Sequence, residues 1–198
     1  MEGVITSPHE PIPHGAIHNQ IFRFTVGCVC CFPEGKLLLV RSVHSMSDDR
    51  QHSWMLPQEG AKLKTGSDVT ETMVETAIRC IYEELGYVVS REVFSDARIL
   101  GWMCNQIAQS RLKGGKAIKY KLIGFLGVLF PEKFPIHLNT TEVAEYAYVS
   151  SFTELQEYLQ EVKRHNYLKY YHTLDKVIQA CVHRFLPWRD LEWPEQNT

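Results

Sequence analysis

No stretch of this 198-residue chain stays apolar for the ~18 residues that a membrane-spanning helix needs. No charge of one sign dominates either: 21 Lys and Arg stand against 23 Asp and Glu, for a net −2. Such a balance excludes bulk electrostatic binding to nucleic acid or membrane, so any phosphate recognition must come from a local basic cluster or a bound metal. Cysteine is scarce, with six in the chain, too few for a disulfide scaffold. The opening residues Met1-Glu2-Gly3-Val4 lack the basic and apolar stretches of a secretory leader. Internal repeats and low-complexity tracts are missing too. What is there, 44% hydrophobic and 22% charged residues, is the composition of a globular protein. These features predict a cytoplasmic protein of a reducing compartment with no membrane partner.

Of the cysteines, Cys28, Cys30 and Cys31 crowd into one apolar run, and Cys80, Cys104 and Cys181 are scattered. Cys28 and Cys31 are spaced C-x-x-C, but no second pair or His partner follows at zinc spacing, so they read as small hydrophobes of a buried strand. Residues 1–20 hold Pro8, Pro11 and Pro13 with His9, His14 and His18. That composition predicts an irregular, loose arm rather than a packed element. A single domain is expected over 21–187, with 188–198 as a tail.

Within that domain, 21–41 reads as two strands around the turn Pro33-Glu34-Gly35-Lys36. Residues 41–70 read as a long polar loop, although Ser53-Trp54-Met55-Leu56-Pro57-Gln58 at its centre is unusually apolar. Val74, Ala77 or Ile78, Ile81 and Leu85 recur at helical spacing and predict a helix over 71–85, stopped by Gly86. Strand-like stretches follow at 97–103, 119–130 and 145–149. A helix opens near Ser151, and a longer one is expected over 167–185. Mixed strands and helices imply an α+β class, an α/β/α sandwich.

On the 71–85 helix the polar residues are Glu71, Glu75, Arg79, Cys80, Glu83 and Glu84. Arg79 sits four residues from both Glu75 and Glu83, within ion-pairing reach. Glu83 and Glu84 can grip a hard cation, because carboxylate oxygens suit Mg²⁺ and two ligands leave room for waters and phosphates. The commonest role of such a face is a solvated set of salt bridges.

The surroundings favour the cation. The run from Gly60 to Tyr87 resembles the Nudix hydrolase box, G-x5-E-x7-R-E-U-x-E-E-x-G-U with U apolar. Glu71 is followed at the family's offsets by Arg79, Ile81, Glu83, Glu84, Gly86 and Tyr87. Two departures stand out: Cys80 replaces the Glu after the Arg, and the leading Gly falls at Thr65, beside Gly66. The Trp54–Gln58 segment is similar to the one before the box in bacterial RNA 5′-pyrophosphohydrolases and dinucleoside polyphosphate hydrolases.

The resemblance implies a Nudix fold with a mixed β-sheet between helices. It further implies a metal-dependent pyrophosphohydrolase acting on a nucleoside 5′-polyphosphate, either the triphosphorylated 5′ end of an RNA or a dinucleoside polyphosphate. Glu83 and Glu84 would bind Mg²⁺ or Mn²⁺. Glu71 and Arg79 would lock loop to helix. Glu142, or Glu145 should the register slip, would serve as metal ligand or general base. Arg23, with Lys119 or Lys121, would face the phosphates, and the basic segment 111–119 could track an RNA backbone. Cys80, three and four residues before Glu83 and Glu84, would point at the metal, where a protonated thiol suits Mg²⁺ poorly. A nearby carboxylate, Glu59 or Glu75, could compensate. Otherwise the chain is a nucleotide- or RNA-binding module without catalysis. An ADP-ribose-type hydrolase is a further alternative. A protein-interaction role for Tyr167, Tyr170, Tyr171, Trp188 and Trp193 also remains open.

Overall fold

The computed structural model describes residues 5–12, 22–43, 54–67, 69–113, 116–164, 176–177, 179–180 and 184–186. Strand β1, Phe22–Phe32, is the spine of the sheet. Its run of Val, Cys and Phe is buried on both faces, which is why it reads as continuously apolar rather than alternating. Pro33 to Gly35 turns the chain, with Gly35 at φ 72°, into β2, Lys36–Ser42. Two short strands, β3 (Trp54–Met55) and β4 (Gln58–Gly60), flank Leu56 and Pro57. Helix α1, Met73–Leu85, follows. Then come β5, Arg98–Lys113, and β6, Lys116–Leu129. β7, Val143–Val149, and α2, Phe152–Arg164, complete the described elements.

The described strands make one seven-stranded mixed sheet with a path β3-β2-β1-β6-β5, β4 adding to β1 and β7 to β2. Only the β1–β6 pair is parallel, running in register from Phe22 opposite Tyr120 to Cys31 opposite Leu129. Alternation along β1 sends Phe24, Val26, Cys28 and Cys30 to a core under α1. Val29 and Cys31 go to a second core with Phe152 and Leu155 of α2. Helices therefore cover both faces, as the α+β expectation required. Cys28 and Cys31 face opposite sides of the sheet, so the C-x-x-C spacing is that of two separate core residues. Among the described residues no cysteine is in a disulfide and no helix is long and apolar enough to cross a membrane.

Two sequence expectations need correction. The long loop over 41–70 contains β3 and β4, because Met55 and Trp54 pair with Val40 and Arg41, and Gln58 to Gly60 with Thr25 to Gly27. The arm is irregular but not loose over residues 5–12. The Pro8 carbonyl accepts from the Val74 amide at 3.2 Å, the Ile12 amide donates to the Glu71 carbonyl, and Ile12 is buried. The first four amides of a helix lack internal partners, so a preceding segment can supply them. The helix expected over 167–185 lies largely outside the described residues, as do Tyr167, Tyr170, Tyr171, Trp188 and Trp193.

Candidate active site

Helix α1 starts at a capping box. The Thr72 hydroxyl accepts from the Glu75 amide at 3.0 Å, and the Glu75 carboxylate accepts from the Thr72 amide at 2.9 Å. Glu75 also takes a 2.8 Å bond from Lys64, which fixes it at the helix start, away from Glu84 at the other end. Gly86 stops the helix at φ 65° in the left-handed region. A Cβ there would lie 2.5 Å from the His137 carbonyl oxygen, so glycine permits both the turn and the close approach of that segment. The segment is tied on by the amides of His137 and Asn139, which donate to the carbonyls of Leu85 and Glu84. It leads directly to Glu142.

Arg79 organises the opposite side. Its Nε and Nη2 donate to the two oxygens of Glu71, each at 2.8 Å. Nη2 also reaches the Gly60 carbonyl at 2.7 Å, and Nη1 reaches Glu83 at 2.9 Å. Burial raises Glu71, but the bonds from Arg79, the Lys62 amide and Thr76 outweigh it and hold the carboxyl below its usual range. Burial likewise opposes the Arg79 charge, and Glu71 and Glu83 more than restore it. Arg79 is thus anchored on Gly60, whereas Thr65 is exposed in the loop beyond. A Cβ on Gly60 would meet the Arg23 guanidinium at 2.8 Å.

Glu84 is only 8% exposed, and its Oε2 has no hydrogen-bond partner. Burial lifts its pKa to about 8, with Glu59 and Glu142 adding repulsion, while the Gln58 amide and the Cys80 thiol act in the other direction. Glu83 is half-buried and doubly engaged, by Arg79 and by Lys62 at 3.3 Å. Cys80 is fully buried in the α1-side core, with its thiol beside the Glu84 carboxylate. Burial first, then the neighbouring Cys28 thiol, keeps its proton on well above the ordinary thiol range.

The cations gather at the β1–β6 edge. Arg23 and Lys121 are partners across the parallel pair. Lys121 donates to Gln58 Oε1 at 2.7 Å. Burial lowers its pKa to about 8, Arg23 adds to this, and Glu59 and Glu84 offset part of it. Arg23 is half exposed and 3.8 Å from Glu59. Lys119 lies in β6, but its side chain, like those of Arg111, Lys113 and Lys116 in the basic segment, is outside the described residues. Glu145 sits elsewhere, exposed and hydrogen-bonded to Arg41 across β2 and β7. The chain therefore brings Glu59, Glu84 and Glu142 together with Arg23 and Lys121. Of these, Glu59 was named from sequence only as a possible substitute for a carboxylate at position 80, and Gln58 only as part of the segment singled out.

Among the described residues, no three His, Cys, Asp or Glu side chains stand together as ligands for one ion. Mg²⁺ does not need three, since it commonly keeps several waters and uses one or two carboxylates with substrate phosphates. A buried carboxylate oxygen without a donor, beside two further acids, fits such a cation.

No family model and no curated protein matches the sequence. Solved structures do. A bifunctional NMN adenylyltransferase/ADP ribose pyrophosphatase from Francisella tularensis superposes at a TM-score of 0.51 with 14% identity, over 82% of this chain and 42% of that one. A MutT protein from Methanosarcina mazei Go1 gives 0.49 at 18% identity, over 79% and 96%. A MutT/nudix family protein from Enterococcus faecalis gives 0.44 at 18%, over 64% and 42%. The chain thus spans less than half of the Francisella and Enterococcus proteins. The architecture is a mixed sheet between helices, with a loop–helix unit clamped by one arginine. It is the Nudix fold.

Proposed function

We propose that the chain is a divalent-metal-dependent pyrophosphohydrolase of the Nudix type, cleaving a phosphoanhydride bond in a nucleoside 5′-polyphosphate. The observation that carries this reading is the unpartnered, buried Oε2 of Glu84 at the end of an arginine-clamped loop–helix unit, beside the Lys121 ammonium. Glu84 would hold Mg²⁺ or Mn²⁺ together with Glu83 or Glu142. When bound, the cation would screen phosphate charge and acidify an attacking water. Arg79 fixes the helix against Gly60 so that Glu84 stays aimed at one point. Arg23 and Lys121 bind phosphate oxygens by charge-assisted hydrogen bonds. Gln58 orients Lys121, and Glu142, carried on the segment docked against the helix end, accepts the proton of the water.

Triphosphorylated RNA 5′ ends and dinucleoside polyphosphates are the substrates we favour, because the Trp54-x-x-Pro57-Gln58 segment supplies Gln58 to the phosphate-facing lysine. ADP-ribose is the alternative suggested by the Francisella protein's pyrophosphatase function. The burial of Cys80 favours a second reading, in which the cluster binds nucleotide or RNA without hydrolysing it.

Ion chromatography of products from triphosphorylated RNA, diadenosine tetraphosphate and ADP-ribose, each with Mg²⁺ and with Mn²⁺, separates these readings. Metal-dependent release of pyrophosphate, phosphate or a mononucleotide is expected. A folded protein that turns over none of the three would leave only the binding reading.

A further inference from the structure

The cation site proposed above lacks one carboxylate at position 80, where the thiol faces the core. Two other acids stand near enough in sequence to replace it, Glu75 and Glu59. Glu75 is committed elsewhere: it closes the capping box and bonds Lys64. Glu59 is different. It pairs with Val26 across the antiparallel β4–β1 ladder, so both side chains leave the sheet on the face covered by α1. Its Oε1 accepts from the Gly60 amide at 2.7 Å and lies 3.8 Å from both Arg23 and Arg79. The carboxylate therefore sits between two guanidinium groups. The neighbouring strand residue Gln58 contacts Lys121, and α1 presents the donorless Oε2 of Glu84 to the same region.

We propose that Glu59 supplies the carboxylate missing at position 80, joining Glu84 on a divalent cation. The ligand pair is then drawn from a strand and a helix rather than from one helix. Strand β4 carries Glu59, its neighbour Gly60 receives Arg79, and Arg79 spans to the same helix as Glu84. One arginine thus fixes the relative placement of both ligands. This inference rests on the hydrolase reading only in supposing a divalent cation at Glu84.

The test is Mn²⁺ titration of the full chain, read by electron paramagnetic resonance of the free ion. Wild type is compared with Glu59→Gln, Glu84→Gln and Glu75→Gln, with circular dichroism to check folding. Even outer-shell changes weaken metal sites about tenfold or more, so Glu59→Gln should weaken Mn²⁺ by at least that factor, while Glu75→Gln leaves it unchanged. Should Glu59→Gln fail to fold, Glu59→Asp takes its place. It keeps the charge for Arg23 and Arg79, withdraws the oxygens, and is expected to weaken Mn²⁺ by a smaller factor. Wild-type affinity in the folded Glu59 variant, with loss in Glu84→Gln, would overturn the role of Glu59 and leave the hydrolase reading standing. Absence of Mn²⁺ binding by the wild type, with and without a nucleoside triphosphate, would overturn both.

Discussion

Arg79 donates to the carbonyl of Gly60, nineteen residues earlier in the chain, at 2.7 Å. The same guanidinium spans both oxygens of Glu71 and one of Glu83, so one planar group joins the last residue of β4, the loop and α1. Lysine has no fork with which to reproduce this arrangement.

Arg79→Lys should therefore destabilise the fold by about 2 kcal/mol, because the charge is kept but the forked hydrogen bonds to charged and buried partners are lost. Equilibrium urea unfolding measures it. An unchanged midpoint at constant slope would mean that the clamp contributes nothing net.

Glu84 makes stability depend on pH in a defined direction. Its pKa rises from 4.5 to about 8 on folding, so the native state binds the proton more tightly than the unfolded chain does. Its contribution is full below pH 4.5 and is lost as pH rises towards 8. Glu84→Gln should flatten the decline in melting temperature between pH 5 and 8 in the presence of a chelator. Saturating Mn²⁺ should raise the wild-type melting temperature most at the upper end of that range.

Cys80 is a core side chain, so Cys80→Ala should cost about 1 kcal/mol of stability and leave the Mn²⁺ affinity within about twofold of wild type. Thermal melts and the same titration distinguish the two effects. A large loss of affinity with intact folding would place the thiol at the cation after all.

Lys121→Met removes a charge from the phosphate side of the site and leaves the Gln58 carbonyl without its donor. Loss of one charge-assisted contact made equally to substrate and transition state raises KM about tenfold with kcat nearly unchanged. Steady-state kinetics on the preferred polyphosphate decide this. A fall in kcat alone would assign Lys121 to the reacting phosphate instead.

Much of the architecture was legible because it follows from local chemistry. The 3.6-residue recurrence of Val74, Ala77, Ile81 and Leu85 and the stop at Gly86 place α1 to within two residues of 71–85. The continuous apolar run of β1 likewise announces a strand buried on both faces. The short strands β3 and β4 were not legible, since two or three residues carry no period and are fixed by pairing partners distant in sequence. The anchor of Arg79 was not legible for the same reason: counting back from Glu71 reaches Thr65, while the Arg79 hydrogen bond goes to Gly60. What the sequence did not show at Cys80 is its burial, although its thiol does interact with Glu84 four residues on. A residue one position past Arg79 is turned about 100° from it, far enough to enter the core. Glu59 has no helical or box context in sequence, and only the β4–β1 register turns it towards the cluster.

The parallel pairing of β1 with β6 has a consequence in time. Arg23 and Lys121 stand opposite each other only after about a hundred residues of intervening chain have closed into a loop, an event entropically costly and therefore late. During synthesis the helix, its arginine clamp and Glu84 all leave the ribosome before β6, the parallel partner of β1, does. The nascent chain would own Glu59 and Glu84 before Arg23 and Lys121 meet, and competence to hold a polyphosphate arrives only once that loop has closed.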